Sequence, residues 1–250
     1  MSVESFYDRL APYYHLLYAD WSDSVRRQGQ ELAAVINERW PHARGVLDLA
    51  CGIGTQSLGL AHEGFAVTAS DLSAESVRRA AVEARWRRLE VAFSIADMRA
   101  AFAGHGDGFD VVVACDDAIR HLPEEQHVLT ALREMLRCLT PGGGCLLSVR
   151  EGDKGIPGLS TVEAFGVREE AGIRYLLLQV RTPGEKHDDL DIYLTADHGD
   201  EECGTQIMRT SRSTISEQRI MALMRDAGFT GVTRVEGRFF QPLLIGSRPA

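Results

Sequence analysis

Val46-Leu47-Asp48-Leu49-Ala50-Cys51-Gly52-Ile53-Gly54-Thr55 reads as an apolar strand that breaks into a glycine turn and then opens a helix. Two glycines two apart let the backbone bend tightly and approach a ligand where a side chain would collide, and the following helix presents unpaired N–H groups. That is the shape of a nucleotide-type cofactor site. A second apolar strand, Ala66-Val67-Thr68-Ala69-Ser70-Asp71, ends in a carboxylate placed where a ribose diol would donate two hydrogen bonds.

The residue three past Gly54 bears on which cofactor the turn serves. A dinucleotide fingerprint asks for Gly or Ala there, where the helix packs beside a pyrophosphate, and this chain has Ser57. S-adenosylmethionine has no phosphate and needs only the close-approach turn and the ribose acceptor. The run Asp48-Leu49-Ala50-Cys51-Gly52-Ile53-Gly54 resembles the first motif of the class I S-adenosylmethionine-dependent methyltransferases, with Ala50 at the first glycine position. Ser94-Ile95-Ala96-Asp97-Met98 resembles their third motif, and Phe109 to Asp116 their fourth strand. Leu136-Arg137-Cys138-Leu139-Thr140-Pro141-Gly142-Gly143-Gly144 is similar to the turn before their fifth strand.

The resemblance implies S-adenosylmethionine as cofactor. It assigns cofactor contacts to Asp48, Ala50, Cys51, Gly52, Gly54, Asp71, Leu72, Asp97, Met98 and Cys115. Asp71 would take the ribose hydroxyls, Asp97 the adenine amino group, and Met98 would cover the ring.

Composition narrows the class. The 250 residues fit one large domain or one domain with an insertion. A formal net charge of −9 argues against an extended phosphate-binding surface, so nucleic acid is not the expected partner, and a small molecule is. Arg78, Arg79, Arg85, Arg87 and Arg88 crowd one helix and read as a solvated face. No apolar run reaches bilayer length and Met1-Ser2-Val3-Glu4-Ser5 lacks the order of a signal peptide, which gives a cytoplasmic expectation without a membrane partner. The five cysteines are odd in number and fall mostly in predicted strands or helices, and no pair has zinc-ligand spacing, so neither disulfide nor metal is expected. Nothing indicates the oligomeric state.

Along the chain, two helices are predicted first, Glu4 to Tyr18 and Ser24 to Arg39. The first is dense in rings (Phe6, Tyr7, Tyr13, Tyr14, Tyr18), which either pack the helix down or cover the site. From Gly45 to Arg150 strands alternate with helices, the pattern of a parallel sheet covered on both faces. The loop Gly152 to Gly158 follows. Then three strands (Arg174 to Thr182, Leu190 to Ala196, Thr205 to Thr214) read as an antiparallel sheet, and helix Ser216 to Ala227 and two strands, Gly231 to Glu236 and Phe239 to Gly246, complete the chain.

The expected fold is α/β, a Rossmann-like, seven-stranded and mostly parallel sheet with helices on both faces. Residues 1–44 form a helical lid, 45–151 and 215–250 the core, and 152–214 an antiparallel insertion over the active site. The insertion and helical front most resemble the small-molecule N-methyltransferases of the glycine and sarcosine type. Their fourth-strand segment corresponds to Asp117-Ala118-Ile119-Arg120-His121-Leu122, and their fifth to Arg150-Glu151-Gly152-Asp153.

The candidate catalytic residues are His121, Arg150 and Asp117. His121 would orient or deprotonate the acceptor, or else bond a backbone carbonyl. Arg150 would grip an acidic group, or else pair with Glu151, Asp153 or Asp116. Asp116 and Asp117 would set negative charge near the sulfonium and could also hold an ammonium group, or else cap the loop, and Tyr7, Tyr14 and Arg150 would bind substrate. The expected activity is methyl transfer to a small molecule, at nitrogen before oxygen. An O-methyltransferase of a metabolite, a non-catalytic S-adenosylmethionine-binding protein and an NAD-dependent oxidoreductase stand as alternatives.

Overall fold

The computed structural model describes residues 2–150, 155–199 and 203–250. Glu151, Gly152 and Asp153 lie outside the described residues, as do Asp200, Glu201 and Glu202 between the last two strands predicted for the insertion.

The core alternates as expected. Strands β1 (Gly45–Asp48), β2 (Ala66–Asp71), β3 (Val91–Ile95), β4 (Phe109–Ala114) and β5 (Leu139–Ser148) pair in parallel. Val46, Val111, Val112, Val113 and Leu146 are fully buried, as strands covered on both faces must be. The chain returns through helix α7 (Glu217–Ala227), which Ser216 caps and Gly228 stops, to β10 (Thr230–Val235) and β11 (Leu243–Ser247). Sheet order is β10-β11-β5-β4-β1-β2-β3, with β11 antiparallel to both neighbours. Strand order reverses between β1 and β4, with successive strands added outward on either side, and ligands bind beyond the carboxyl ends of the strands at such a switch point.

Local chemistry accounts for the departures from the sequence reading. The first helix, α1 (Val3–Leu10), stops before Pro12, and the ring-rich remainder is a separate 3-10 turn, Tyr14–Leu17. Helix α2 (Trp21–Arg39) begins ahead of Ser24 because Asp20 is its cap, accepting from the Asp23 N–H at 2.8 Å. The Thr140–Gly143 turn is a bulge within β5, since Phe109 faces Leu139 and Val111 faces Gly144. The last strand starts at Leu243 rather than Phe239. A 3-10 turn, Met98–Ala100, and the short helix α5 (Ala101–His105) were not expected.

The division of the chain also differs. Helix α2 is not part of a lid, for Leu32, Ala33, Val35 and Ile36 pack with Val46, Leu60 and Val113 on one face of the large sheet. It crosses α3 (Thr55–His62) at Gly29 and Gly59, where a Cβ on Gly29 would stand 2.4 Å from the Gly59 backbone. The other face carries α6 (Glu125–Cys138) and α7, through Leu132, Met135, Leu223 and Met224.

The insertion has four strands rather than three: β6 (Thr161–Glu170), β7 (Ile173–Thr182), β8 (His187–Asp197) and β9 (Cys203–Ser213). The unexpected β6 joins β7 through Ala171-Gly172, both at positive φ (51° and 79°), a two-residue hairpin without the Asn or Asp that would have announced it. Phe6, Leu10 and Leu16 pack against Tyr175, Leu177, Ile192, Leu194 and Met208 of this sheet, so residues 2–18 and the insertion form one layer. Asp8 ties that layer to the core. It accepts from the Ser73 hydroxyl at 2.7 Å, where Ser73 caps helix α4 (Ala74–Arg87).

Candidate active site

At the carboxyl ends of β1, β2 and β4 lies a cavity of about 380 Å³, within the size range of small-ligand sites. Ala50, Cys51, Gly52, Asp71, Leu72, Asp97, Met98 and Cys115 stand on its wall. Asp71 is oriented by two backbone donors, Gly52 N–H to Oδ2 and Ser73 N–H to Oδ1, both at 2.9 Å. Burial pushes its carboxyl up from the ordinary range, partly offset by those donors. Gly52 has φ 52°, and a Cβ built there meets nothing within 4 Å. The turn therefore leaves an open cradle in which a side chain would take ligand space.

Asp48 and Gly54 stand one layer behind. Asp48, 1% exposed, accepts from the Ser57 hydroxyl at 2.6 Å and the Ala50 N–H at 3.3 Å, and burial pushes it up to about 6. The serine at the third-glycine position thus serves as the partner of the motif's acid. Gly54, at φ 99°, caps α3, and a Cβ there would press on Leu58 at 3.0 Å.

The donor set fits S-adenosylmethionine. Asp71 suits the ribose, and Leu49, Leu72 and Met98 offer apolar surface for a base. Arg99 is the basic side chain on this wall, and Asp97 engages it at 2.9 Å. Burial pushes Asp97 up, but the hydrogen bonds from Arg99 outweigh it and hold the carboxyl below its usual range.

A second cavity of about 280 Å³ adjoins the first, and Tyr7, Tyr14, Tyr18, Asp116 and His121 line both. The Tyr14 hydroxyl donates to Asp116 Oδ2 at 3.1 Å, and the Tyr7 hydroxyl and His121 Nε2 are hydrogen-bonded at 2.8 Å. Burial above all, with the Asp116 charge next, raises all three tyrosines well beyond the ordinary phenol, so they remain neutral hydroxyls. His121 is pushed down to about 4, chiefly by burial and then by Arg212, against a smaller opposing contribution from the Ser211 backbone. At neutral pH the ring is uncharged.

Asp116 and Asp117 follow β4 as consecutive residues in the left-handed region, φ 55° and 65°. Such conformations cost about 1–3 kcal/mol each and persist where surrounding bonds fix them. The Asp117 N–H donates to the Ser148 carbonyl at 3.0 Å. The double turn sends the two carboxylates apart, and this corrects the assignment of Asp117. Its side chain, 2% exposed, accepts from the Arg150 N–H at 2.9 Å and Arg212 Nη1 at 2.7 Å and stands 3.3 Å from Arg120, while Asp116 faces both cavities. Asp117 is a structural anchor for arginines, and burial pushes its carboxyl up despite them.

Arg150 lies on the second cavity's wall, 3.7 Å from Glu163, an acid on the unexpected strand β6. Asp116 and Tyr18, read from the sequence as negative charge near the sulfonium and as one ring of the aromatic segment, also stand at the site. Arg212 and Gln241 carried no signal in the sequence, being brought in by β9 and by the loop before β11.

A sheet of this order, a glycine turn after β1 and an acid ending β2 define the class I S-adenosylmethionine-dependent methyltransferase architecture. Residues 46–143 match the model of a methyltransferase domain family, and the chain carries a methyltransferase domain of that class, whose cofactor is S-adenosylmethionine. Over 144 residues the chain is 33% identical to the glycine/sarcosine N-methyltransferase of Parasynechococcus marenigrum, covering 57% of this chain and 50% of that one. Over 105 residues it is 33% identical to a ubiquinone biosynthesis O-methyltransferase of Psychrobacter cryohalolentis, covering 41% and 39%. The matches thus span half or less of these relatives' length. The structure of CalS10, an amino pentose methyltransferase from Micromonospora echinaspora, superposes with a TM-score of 0.78 over 95% of both chains at 20% identity, which is a likeness of fold. No helix among the described residues is long and apolar enough to cross a membrane.

Proposed function

We propose that this chain transfers the methyl group of S-adenosylmethionine to an amine nitrogen of a small molecule seated in the second cavity. The bound cofactor supplies an electrophilic methyl on a positively charged sulfur. The observation that carries the reading is Asp116, whose carboxylate stands at the junction of the two cavities with Tyr14 on one oxygen.

A carboxylate there accepts N–H hydrogen bonds from the acceptor and lets the remaining lone pair face the cofactor. Alignment of this kind accounts for roughly 7–11 kcal/mol of barrier lowering in well-oriented reactions. His121, held at about 4, is a weak base for a hydroxyl acceptor and favours an amine, which needs only to arrive unprotonated. In this reading His121 orients Tyr7, Arg150 meets a polar or acidic group of the acceptor, and residues 2–18 with the inserted sheet keep water from the reaction. The glycine/sarcosine enzyme named above is an N-methyltransferase by its name, in keeping with this reading. The O-methyltransferase match keeps a hydroxyl acceptor as the second reading.

Turnover of wild type and Asp116→Asn on panels of amines and hydroxyl compounds tests the proposal, with calorimetric binding of S-adenosylhomocysteine in parallel. Amine methylation should fall at least about tenfold in Asp116→Asn at unchanged cofactor affinity, the loss of a hydrogen bond to a charged group. Full activity in the variant refutes the assignment of Asp116. Turnover of hydroxyl compounds alone establishes the second reading, and binding without any turnover establishes a non-catalytic protein.

A further inference from the structure

The carboxylate of Asp116 is held from behind by a residue of the last β-hairpin. Three hydrogen bonds close a ring. The Asp116 N–H donates to Ser148 Oγ at 2.7 Å, the Ser148 hydroxyl donates to Gln241 Oε1 at 2.8 Å, and Gln241 Nε2 donates to Asp116 Oδ1 at 2.8 Å. The ring runs in one direction. A backbone N–H can only donate, which leaves the serine proton for Gln241 Oε1 and turns the amide nitrogen toward the carboxylate. Ser148 is fully buried and Gln241 is 4% exposed. A primary amide so deeply buried is costly unless its polar atoms are bonded, and here both ends are.

The position of Gln241 is itself fixed. The Val149 N–H donates to the Pro242 carbonyl at 3.1 Å, and β11 begins at Leu243, paired with Ser148. The loop at 239–242 is thus locked to the end of β5, beside the turn that carries Asp116. Tyr14 takes Oδ2 from the cavity side and Gln241 takes Oδ1 from the core side. Between them the carboxylate has one orientation, with its remaining lone pairs available to the junction of the cavities.

We infer that Gln241 is a positioning residue for methyl transfer: its amide, oriented by Ser148, sets the Asp116 carboxylate toward the acceptor nitrogen. This rests on the reading of Asp116 given above. It makes the edge hairpin β10–β11, which is remote in sequence from the cofactor motif, part of acceptor recognition.

The test is a double-mutant cycle on the full chain. Gln241→Leu keeps the side chain's bulk and removes the bond to Oδ1, and Ser148→Ala breaks the same ring one step away. Either should raise the acceptor KM about tenfold while leaving S-adenosylhomocysteine affinity within about twofold of wild type. Combined with Asp116→Asn, Gln241→Leu should cost nothing further in kcat/KM, because the amide acts through the carboxylate that Asp116→Asn has already altered. A purely structural Gln241 would instead lower thermal stability and multiply its loss onto that of Asp116→Asn. An unchanged acceptor KM in a folded Gln241→Leu, or independent losses in the cycle, overturns the inference. If Gln241→Leu does not fold, Ser148→Ala runs the same cycle with the same criteria. Full activity of Asp116→Asn alone overturns the underlying amine reading instead, so the two failures are told apart.

Discussion

His121 should make the protein lose stability in mild acid, and the size of the loss follows from its surroundings. The ring sits against Tyr7, with Arg212 and Asp116 acting on it, and takes a proton only near pH 4, whereas in the unfolded chain it does so near 6.5. Between those values the unfolded state binds the extra proton. Stability from this group is therefore complete above the unfolded value and is lost as pH falls. Going from about pH 8 to about pH 5 should cost about 2 kcal/mol from this ring alone. Asp48 works in the opposite sense, with a carboxyl raised to about 6 that favours the folded state on acidification by roughly 1 kcal/mol over the same interval. The pH profile of the wild type should thus be shallower than either group alone would make it. His121→Gln keeps a partner for Tyr7 and removes the titration, while Asp48 and every other group remain in both proteins. Urea unfolding followed by tryptophan fluorescence should show the wild type falling relative to the variant by about 2 kcal/mol near pH 5. Parallel stability profiles for the two proteins would refute the neutral, enclosed ring.

Asp48→Asn should stabilise the protein at neutral pH. A carboxyl raised from 3.8 to about 6 costs up to about 3 kcal/mol when charged, and that cost accumulates as pH rises from the unfolded value and is complete above the folded one. A thermal midpoint that rises near neutrality but not near pH 4 is the expected result, and a fall at both would show that the charge is needed by Ser57 and Ala50. The two glycines of the motif should fail differently. Gly52→Val meets open space and should keep most of its stability, losing about 1–2 kcal/mol to its left-handed backbone while losing S-adenosylhomocysteine binding in calorimetry. Gly54→Ala adds contact with Leu58 to an unfavourable φ and should show its main effect in the unfolding curve.

The cofactor half of this protein was written locally. Each of its parts falls within one short segment: an apolar strand, the Gly52 and Gly54 turn, and the acids at the ends of β1 and β2. The buried parallel strands announce themselves by continuous Val, Leu and Ala, and Ser216 and Gly228 bound the last helix through capping that acts within a few residues. The acceptor half was not legible in the same way. Asp116 and Asp117 are chemically identical in the sequence, and two successive left-handed residues decide that one faces the cavities while the other is spent on Arg150, Arg212 and Arg120. Helix α2 looked like cover until its apolar side met β1 and β4, and β6 stayed hidden behind an Ala-Gly turn. Gln241 acquires its role only because antiparallel pairing of β11 with β5 brings it 2.8 Å from a carboxylate 125 residues earlier. Local periodicity and turn chemistry fix elements and a single-segment motif, whereas contacts between distant segments exist only once the sheet has closed its register.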